Sequence, residues 1–286
     1  MEKISLLPSY KTCTKCQNIL IDPISMNNTY YFVCAICNQA TEWNADTILK
    51  TSKISMGKIE KLLVLFLDNK TAQEANSILK YHFINEKVNI KTVHRYYEIF
   101  NLVVYDYVDK IMNSTLLEGE IEIDETYLFK EKKSKAPHRP YKNKSQWLFG
   151  MRKRGTSQFI VFPVQERDQK TLEWFILKHI RIHSTIYSDC YSVYVNNRTF
   201  PKKSKLKDFG YIHKFVNHKI QFVSTLFEEI HTNTVECLWK EIKNYLKKSR
   251  STSKYLFSIY RYYFTKQIPK NVQIQMLLEN LQNEDL

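Results

Sequence analysis

Hydrophobic and polar positions change their period twice along the chain. Residues 1–50 carry short mixed patches, broken by turn signals at Asp22-Pro23 and Asn27-Asn28. Over residues 53–113 the apolar positions recur at helical spacing, with Ile59, Leu62, Leu63, Phe66 and Leu67 on one face. Further helices are expected over Thr71–Lys80 and Asn89–Asn101. From Gly119 the period shortens to two: Ile121-Glu122-Ile123-Asp124-Glu125-Thr126-Tyr127 alternates as a strand does. Trp147–Lys153 and Gln158–Val164 read as the next strands, with a turn at Arg154-Gly155. Asp168–Ile180 reads as a helix opened by an acidic cap, its inner face Leu172, Phe175, Ile176 and His179. Thr185–Asp189 and Ile212–Asn217 are the fourth and fifth strands, and Asn233–Lys248 is the last clear helix. Its buried side is Val235, Leu238, Trp239, Ile242 and Leu246. This order predicts an α/β fold, a mixed sheet covered by helices.

Composition narrows the class. The chain of 286 residues is 43% hydrophobic and 25% charged, enough apolar surface for a packed core and too much for disorder. Lys+Arg 43 against Asp+Glu 29 gives a net charge of +14, which points to a polyanionic partner, nucleic acid before membrane. No apolar run approaches the ~18 residues that span a bilayer, and the first residues lack the apolar core of a signal peptide. An intracellular protein is therefore expected, in the nucleus if the host is a eukaryote. In a reducing compartment the six cysteines suit metal better than disulfides.

Four of them form C-x2-C-x17-C-x2-C: Cys13, Cys16, Cys34 and Cys37. Each pair can chelate from a knuckle turn, and together they suit one structural Zn²⁺ in a tetrahedral site. Thr71–Leu79 followed by Ile90–Tyr97 has the texture of a helix-turn-helix whose second helix presents Lys91, Thr92, His94 and Arg95 to a DNA groove. An ordinary helical hairpin fits the same residues.

Three acidic residues stand out. Asp124 reads as a lone carboxylate inside an otherwise apolar strand, costly unless paired or metal-bound. Asp189 ends another strand, where open α/β sheets place ligands, although a turn residue looks the same. Glu236 lies on a polar stripe with Asn233, Lys240 and Lys243; Asn233-x-x-Glu236 also suits a capping box.

The stretches IEIDETYLFK, QWLFGMRKR, STIYSDCYSVY, YIHKFVNH and HTNTVECLWKEIKNYLK, in this order, resemble the catalytic domain of the Merlin-type DDE transposases and their bacterial ISXO-like relatives. The resemblance covers roughly residues 115–265. It implies an RNase H-like fold in which three acids hold two Mg²⁺ (or Mn²⁺) ions for DNA cleavage and strand transfer. Position by position, Asp124, Asp189 and Glu236 match the three acids, with Asn233 the alternative third ligand. The sequence departs from the pattern at Leu128-Phe129-Lys130, where relatives often carry glycine, and at Cys190 and Cys237, which read as small packers beside the acids.

Three basic runs lie in or beside this region: Lys130–Lys144, Arg198–Lys219 and Lys240–Lys254. Lys132, Lys133, Lys135, Lys240 and Lys243 are the expected phosphate contacts there, alongside Lys91 and Arg95 upstream. The resulting organisation is a zinc ribbon over 1–50, a helical DNA-binding region over 51–114, an RNase H-like catalytic domain over 115–265 and a C-terminal tail over 266–286. Double-stranded DNA is the expected partner, with a homo-oligomer assembled on it and no membrane. The competing readings are a domesticated transposase acting only as a DNA-binding regulator and a generic metal-dependent nuclease.

Overall fold

The computed structural model of the chain describes residues 6–26, 29–83, 88–129, 146–196, 198, 201–216, 231–248 and 255–282. In chain order the elements are β1 (Lys11–Thr12), β2 (Ile19–Leu20), β3 (Ile24–Met26), β4 (Thr29–Val33), β5 (Ala40–Glu42), α1 (Met56–Leu67), α2 (Ala72–His82) and α3 (Ile90–Ser114). They continue with β6 (Glu120–Phe129), β7 (Gln146–Lys153), β8 (Phe159–Val164), α4 (Gln169–His179), β9 (Thr185–Asp189), β10 (Val195–Asn196), β11 (Lys203–Ser204) and β12 (Ile212–Val216). The last helices are α5 (Asn233–Lys248), α6 (Tyr255–Gln267) and α7 (Lys270–Leu281). Two compact units divide the chain: Met1–Tyr107 with Phe264–Leu286, and Val108–Tyr263.

In the first unit, two turns of the same design carry the cysteine pairs. The Cys13 N–H donates to Asn18 and the Gln17 N–H to Cys13; the Cys34 N–H donates to Gln39 and the Asn38 N–H to Cys34. Gln17 and Asn38, one residue past each pair, take φ of 62° and 55°, the left-handed turn that folds each knuckle back on itself. Helix α1 buries Ile59, Leu62, Leu63 and Phe66, as the spacing predicts, and Phe66 meets Tyr97 and Phe100 of α3 edge-on at 5.3 and 5.4 Å. Thr71 and Glu74 close a reciprocal capping box on α2. Helix α3 runs on past the expected end at Asn101, because Val103, Val104, Val108 and Met112 continue its buried stripe without a glycine or proline to stop it. Residues Lys270–Leu281, which the sequence pattern left as tail, form α7; Met276, Leu277 and Leu281 are buried, and Gln273 donates to the carbonyls of Phe264 and Ile268.

The second unit is built on a five-stranded sheet in the order β12-β9-β6-β7-β8. Strands β6, β7 and β8 are antiparallel neighbours, while β9 and β12 run parallel to β6. Three antiparallel strands followed by two parallel ones around a central first strand, flanked by helices, is the RNase H-like arrangement. Successive side chains of a strand take opposite faces. On one face Gly150, opposite Asp124, lies beneath Trp239 of α5. On the other, Phe149, opposite Glu125, packs on Phe175 of α4 at 6.1 Å. Among the described residues no helix is long and apolar enough to cross a membrane.

Candidate active site

Central strand β6 carries Asp124, half-buried, on the face covered by α5. Strands β6 and β9 pair with Glu122 opposite Tyr187, and two residues further along each strand stand Asp124 and Asp189. Glu236 lies exposed in the first turn of α5, on the polar stripe opposite Val235, Leu238, Trp239, Ile242 and Leu246, all five of them buried. Burial pushes the Asp124 carboxyl up to about 6, and the negative charges of Asp189 and Glu236 push the same way. The three acids named from the sequence therefore share one electrostatic neighbourhood. Their oxygens do not gather as tightly as sulfurs do elsewhere: among the described residues, only the four cysteines place ligand atoms all within 4.8 Å of one another.

Three hydrogen bonds orient this trio, the first from the Tyr191 N–H to Asp189 Oδ1 at 2.8 Å. Trp239 Nε1–H donates to Asp124 Oδ2 at 2.8 Å. Thr232 Oγ1–H donates to Glu236 Oε1 at 3.1 Å. The backbone settles the capping question, since the first helical N–H bond of α5 runs from Glu236 to the Thr232 carbonyl at 3.1 Å. Thr232 is thus the N-cap rather than Asn233, whose side chain is exposed.

The unpaired amides at the start of α5 are met by a residue of β6. Glu122, with 0% of its side chain exposed, accepts from the Thr234 and Val235 N–H groups at 2.8 and 2.9 Å and from Thr234 Oγ1 at 2.7 Å. Arg154 Nε lies 2.8 Å from the same carboxylate and its guanidinium also donates to the His231 carbonyl. A carboxylate at a helix N-terminus meets both the unpaired amides and the positive end of the helix dipole. Asp124 is consequently not the lone carboxylate of its strand; Glu122 is more deeply buried and fully paired. The signal in the sequence was its spacing, two residues before Asp124 and so on the same face. His231 Nδ1 lies 3.6 Å from the Glu122 carboxylate.

Two further groups surround Asp189. Glu125 accepts from the buried Tyr194 hydroxyl, and burial pushes its carboxyl up to about 7. Beneath the strand end, Ser188 Oγ–H donates to the Asp189 carbonyl at 2.7 Å, so it accepts from His213 Nε2 at 2.9 Å, and His213 Nδ1 accepts from Ser204 at 2.7 Å. That chain assigns one neutral tautomer to His213. Burial, assisted by Lys207, pushes its imidazole from 6.5 down to about 4. The unfolded chain therefore binds this proton at higher pH than the folded one. Its contribution to stability is complete above about pH 6.5 and is lost as pH falls toward 4, by about 3 kcal/mol in all. Urea melts of the parent and His213→Asn across pH 4–7 should show a steeper decline in the parent; parallel profiles contradict this assignment.

The basic residues scatter. Lys91, His94 and Arg95 are exposed on one side of α3, with Arg95 Nη2 donating to Thr51 Oγ1 at 3.0 Å. Lys240 is exposed on α5, whereas Lys243 Nζ donates to Thr126 Oγ1 at 2.6 Å and so ties α5 to β6. Lys132, Lys133 and Lys135 lie outside the described residues, as do parts of the other two basic runs.

The cysteine cluster can hold a metal. Sγ–Sγ separations of 3.5 Å (Cys13–Cys37), 3.4 Å (Cys16–Cys34) and 3.6 Å (Cys16–Cys37) approach the ~3.8 Å that four sulfurs adopt around a tetrahedral ion with Zn–S bonds of ~2.3 Å. Backbone N–H groups lower the Cys13 and Cys34 thiols, whereas the neighbouring sulfurs and burial raise Cys16 and Cys37. Metal analysis should give about one zinc per chain, lost in Cys34→Ser. Undiminished zinc in that variant rules the site out.

Comparison with known proteins adds three results. The family model described as the ISXO2-like transposase domain matches residues 116–258. No curated protein matches the chain. Among solved structures, the catalytic core domain of BIV integrase is 11% identical, with 54% of this chain and 87% of that one covered and a TM-score of 0.34. A chain of the simian T-cell lymphotropic virus intasome in complex with PP2A regulatory subunit B56 gamma is likewise 11% identical (71% and 68% covered, TM-score 0.34). The Mos1 strand transfer complex is 10% identical (78% and 97% covered, TM-score 0.24).

Proposed function

The chain belongs to the ISXO2-like transposase domain family, and from that premise we propose that it cuts DNA at the ends of a mobile element and joins them to a target. Asp124, Asp189 and Glu236 are the residues that would hold divalent cations, Mg²⁺ or Mn²⁺. The observation that carries the reading is the placement of Asp124 and Asp189 at matching positions of the paired strands β6 and β9, with Glu236 in the first turn of the helix packed on that face. An all-oxygen donor set suits a hard cation, and a carboxylate suits it better than the amide of Asn233 does. Such ions lower the pKa of an attacking water or DNA 3′-hydroxyl and stabilise the leaving oxygen.

The residues of the chain divide the remaining work. Trp239 and Thr232 fix the carboxylates they donate to, and Glu122 anchors the helix that presents Glu236. Lys240, Lys91, Arg95 and the lysines at 132, 133 and 135 supply positive charge for the phosphates of double-stranded DNA. The four cysteines hold one structural Zn²⁺.

The test uses a plasmid bearing the DNA that flanks the gene, incubated with the full chain and Mg²⁺ or Mn²⁺. Metal-dependent nicks at defined ends, followed by joined products, are expected. Binding without cleavage under either metal overturns the enzymatic reading in favour of a regulator; cleavage without joining reduces it to a nuclease.

A further inference from the structure

We propose that Gly150 and Trp239 form one device that holds the Asp124 carboxylate in place, Trp239 as a positioning residue and Gly150 as the gap that admits its ring. This rests on the reading of Asp124 as a metal ligand and assigns a role to two residues, in WLFG and in VECLW, that the catalytic reading leaves without one.

Gly150 is the cross-strand partner of Asp124. A Cβ built at Gly150 would stand 2.3 Å from Trp239 Cη2 and 2.7 Å from Cζ2, distances that real Cβ atoms do not show. The other three glycines with a strained setting owe it to another cause: Gly119, Gly155 and Gly210 have positive φ, and Gly150 does not. Space rather than backbone conformation therefore demands glycine at 150. The obstacle is the edge of a large ring, not the tip of a flexible chain.

With that gap open, the indole lies over β7 and reaches β6. It is 5% exposed, and its one polar atom, a donor only, ends 2.8 Å from Asp124 Oδ2. A hydrogen bond to an ionised acceptor is among the stronger ones, and this one commits a single carboxylate oxygen while leaving its twin to a cation. The ring cannot drift, because Glu122 holds the helix that bears it at the Thr234 and Val235 amides. Partners of this kind, one bond removed from a metal, tune affinity through the orientation of the ligand.

The experiment measures Mn²⁺ binding by calorimetry on the full, zinc-loaded chain, with folding followed by circular dichroism. Trp239→Phe keeps an aromatic ring and removes the N–H; Mn²⁺ should bind about 10- to 100-fold more weakly at an unchanged fold. Gly150→Ala should weaken it comparably by displacing the indole. Added to Trp239→Phe, Gly150→Ala should cause no further loss, since the shorter ring lacks the carbons that clash. In the ¹H–¹⁵N spectrum, the indole resonance absent from Trp239→Phe should move in Asp124→Asn, even without metal. Parent-like Mn²⁺ affinity in folded Trp239→Phe overturns the proposal, and additive losses in the double variant overturn the part played by Gly150. Parent-like Mn²⁺ affinity in Asp124→Asn instead overturns the reading of Asp124 as a ligand, a separate failure that the indole shift distinguishes.

Discussion

Asp124→Asn and Asp189→Asn should each lower Mg²⁺-dependent DNA cleavage by on the order of 10³-fold or more, while folding and DNA binding stay as in the parent. The amide preserves the size of the side chain and removes the charge that holds a cation. Glu236→Gln should behave the same way. Asn233→Ala should remain active and nearly as stable as the parent, because Asn233 is exposed and Thr232 caps the helix. Single-turnover cleavage of a labelled duplex, read beside a binding isotherm, separates the variants. An inactive, folded Asn233→Ala with an active Glu236→Gln would transfer the third ligand to Asn233. Parent-like rates in all four would remove the metal site altogether.

Glu122→Leu should produce the largest loss of stability, on the order of 3–5 kcal/mol. The substitution strands two amides at the start of α5 and takes from Arg154 its carboxylate partner, all of them paired to Glu122 in the parent. Chemical denaturation should register the loss as a lower midpoint at an unchanged slope. Replacing Arg154 by Met in the same chain should recover part of it, since the half-buried cation then goes with its partner. A loss below about 1 kcal/mol would mean that water, rather than this carboxylate, satisfies the helix end.

The elements around the site were legible because each obeys one period. The two faces of α5 could be written down from spacing alone, and every residue assigned to its buried side is buried. The knuckles were legible from four cysteines. Glu122 was not, because in an alternating strand a buried anchor and a solvent-facing carboxylate occupy the same kind of position. Its partners lie 112 and 113 residues further on, beyond the reach of any local pattern. Gly150 was hidden for a related reason: its meaning depends on which ring arrives from α5. Helix α6 escaped because its apolar residues surround it, with Ile259, Tyr260, Tyr262, Tyr263 and Phe264 all buried and no clean polar face to mark a period.

The distance along the chain between Glu122 and Thr234 also sets a clock on biosynthesis. At ~5–20 residues per second a ribosome adds those 112 residues in roughly 6–20 s. Throughout that interval the nascent chain carries Asp124, and later Asp189, without the helix that brings Glu236. A chain interrupted before α5 holds Glu122 and Arg154, the groups that will receive the helix, but not the helix that bears Glu236. The proposed trio of acids is therefore complete only once α5 has been synthesised, 112 residues after the carboxylate that will receive its first turn.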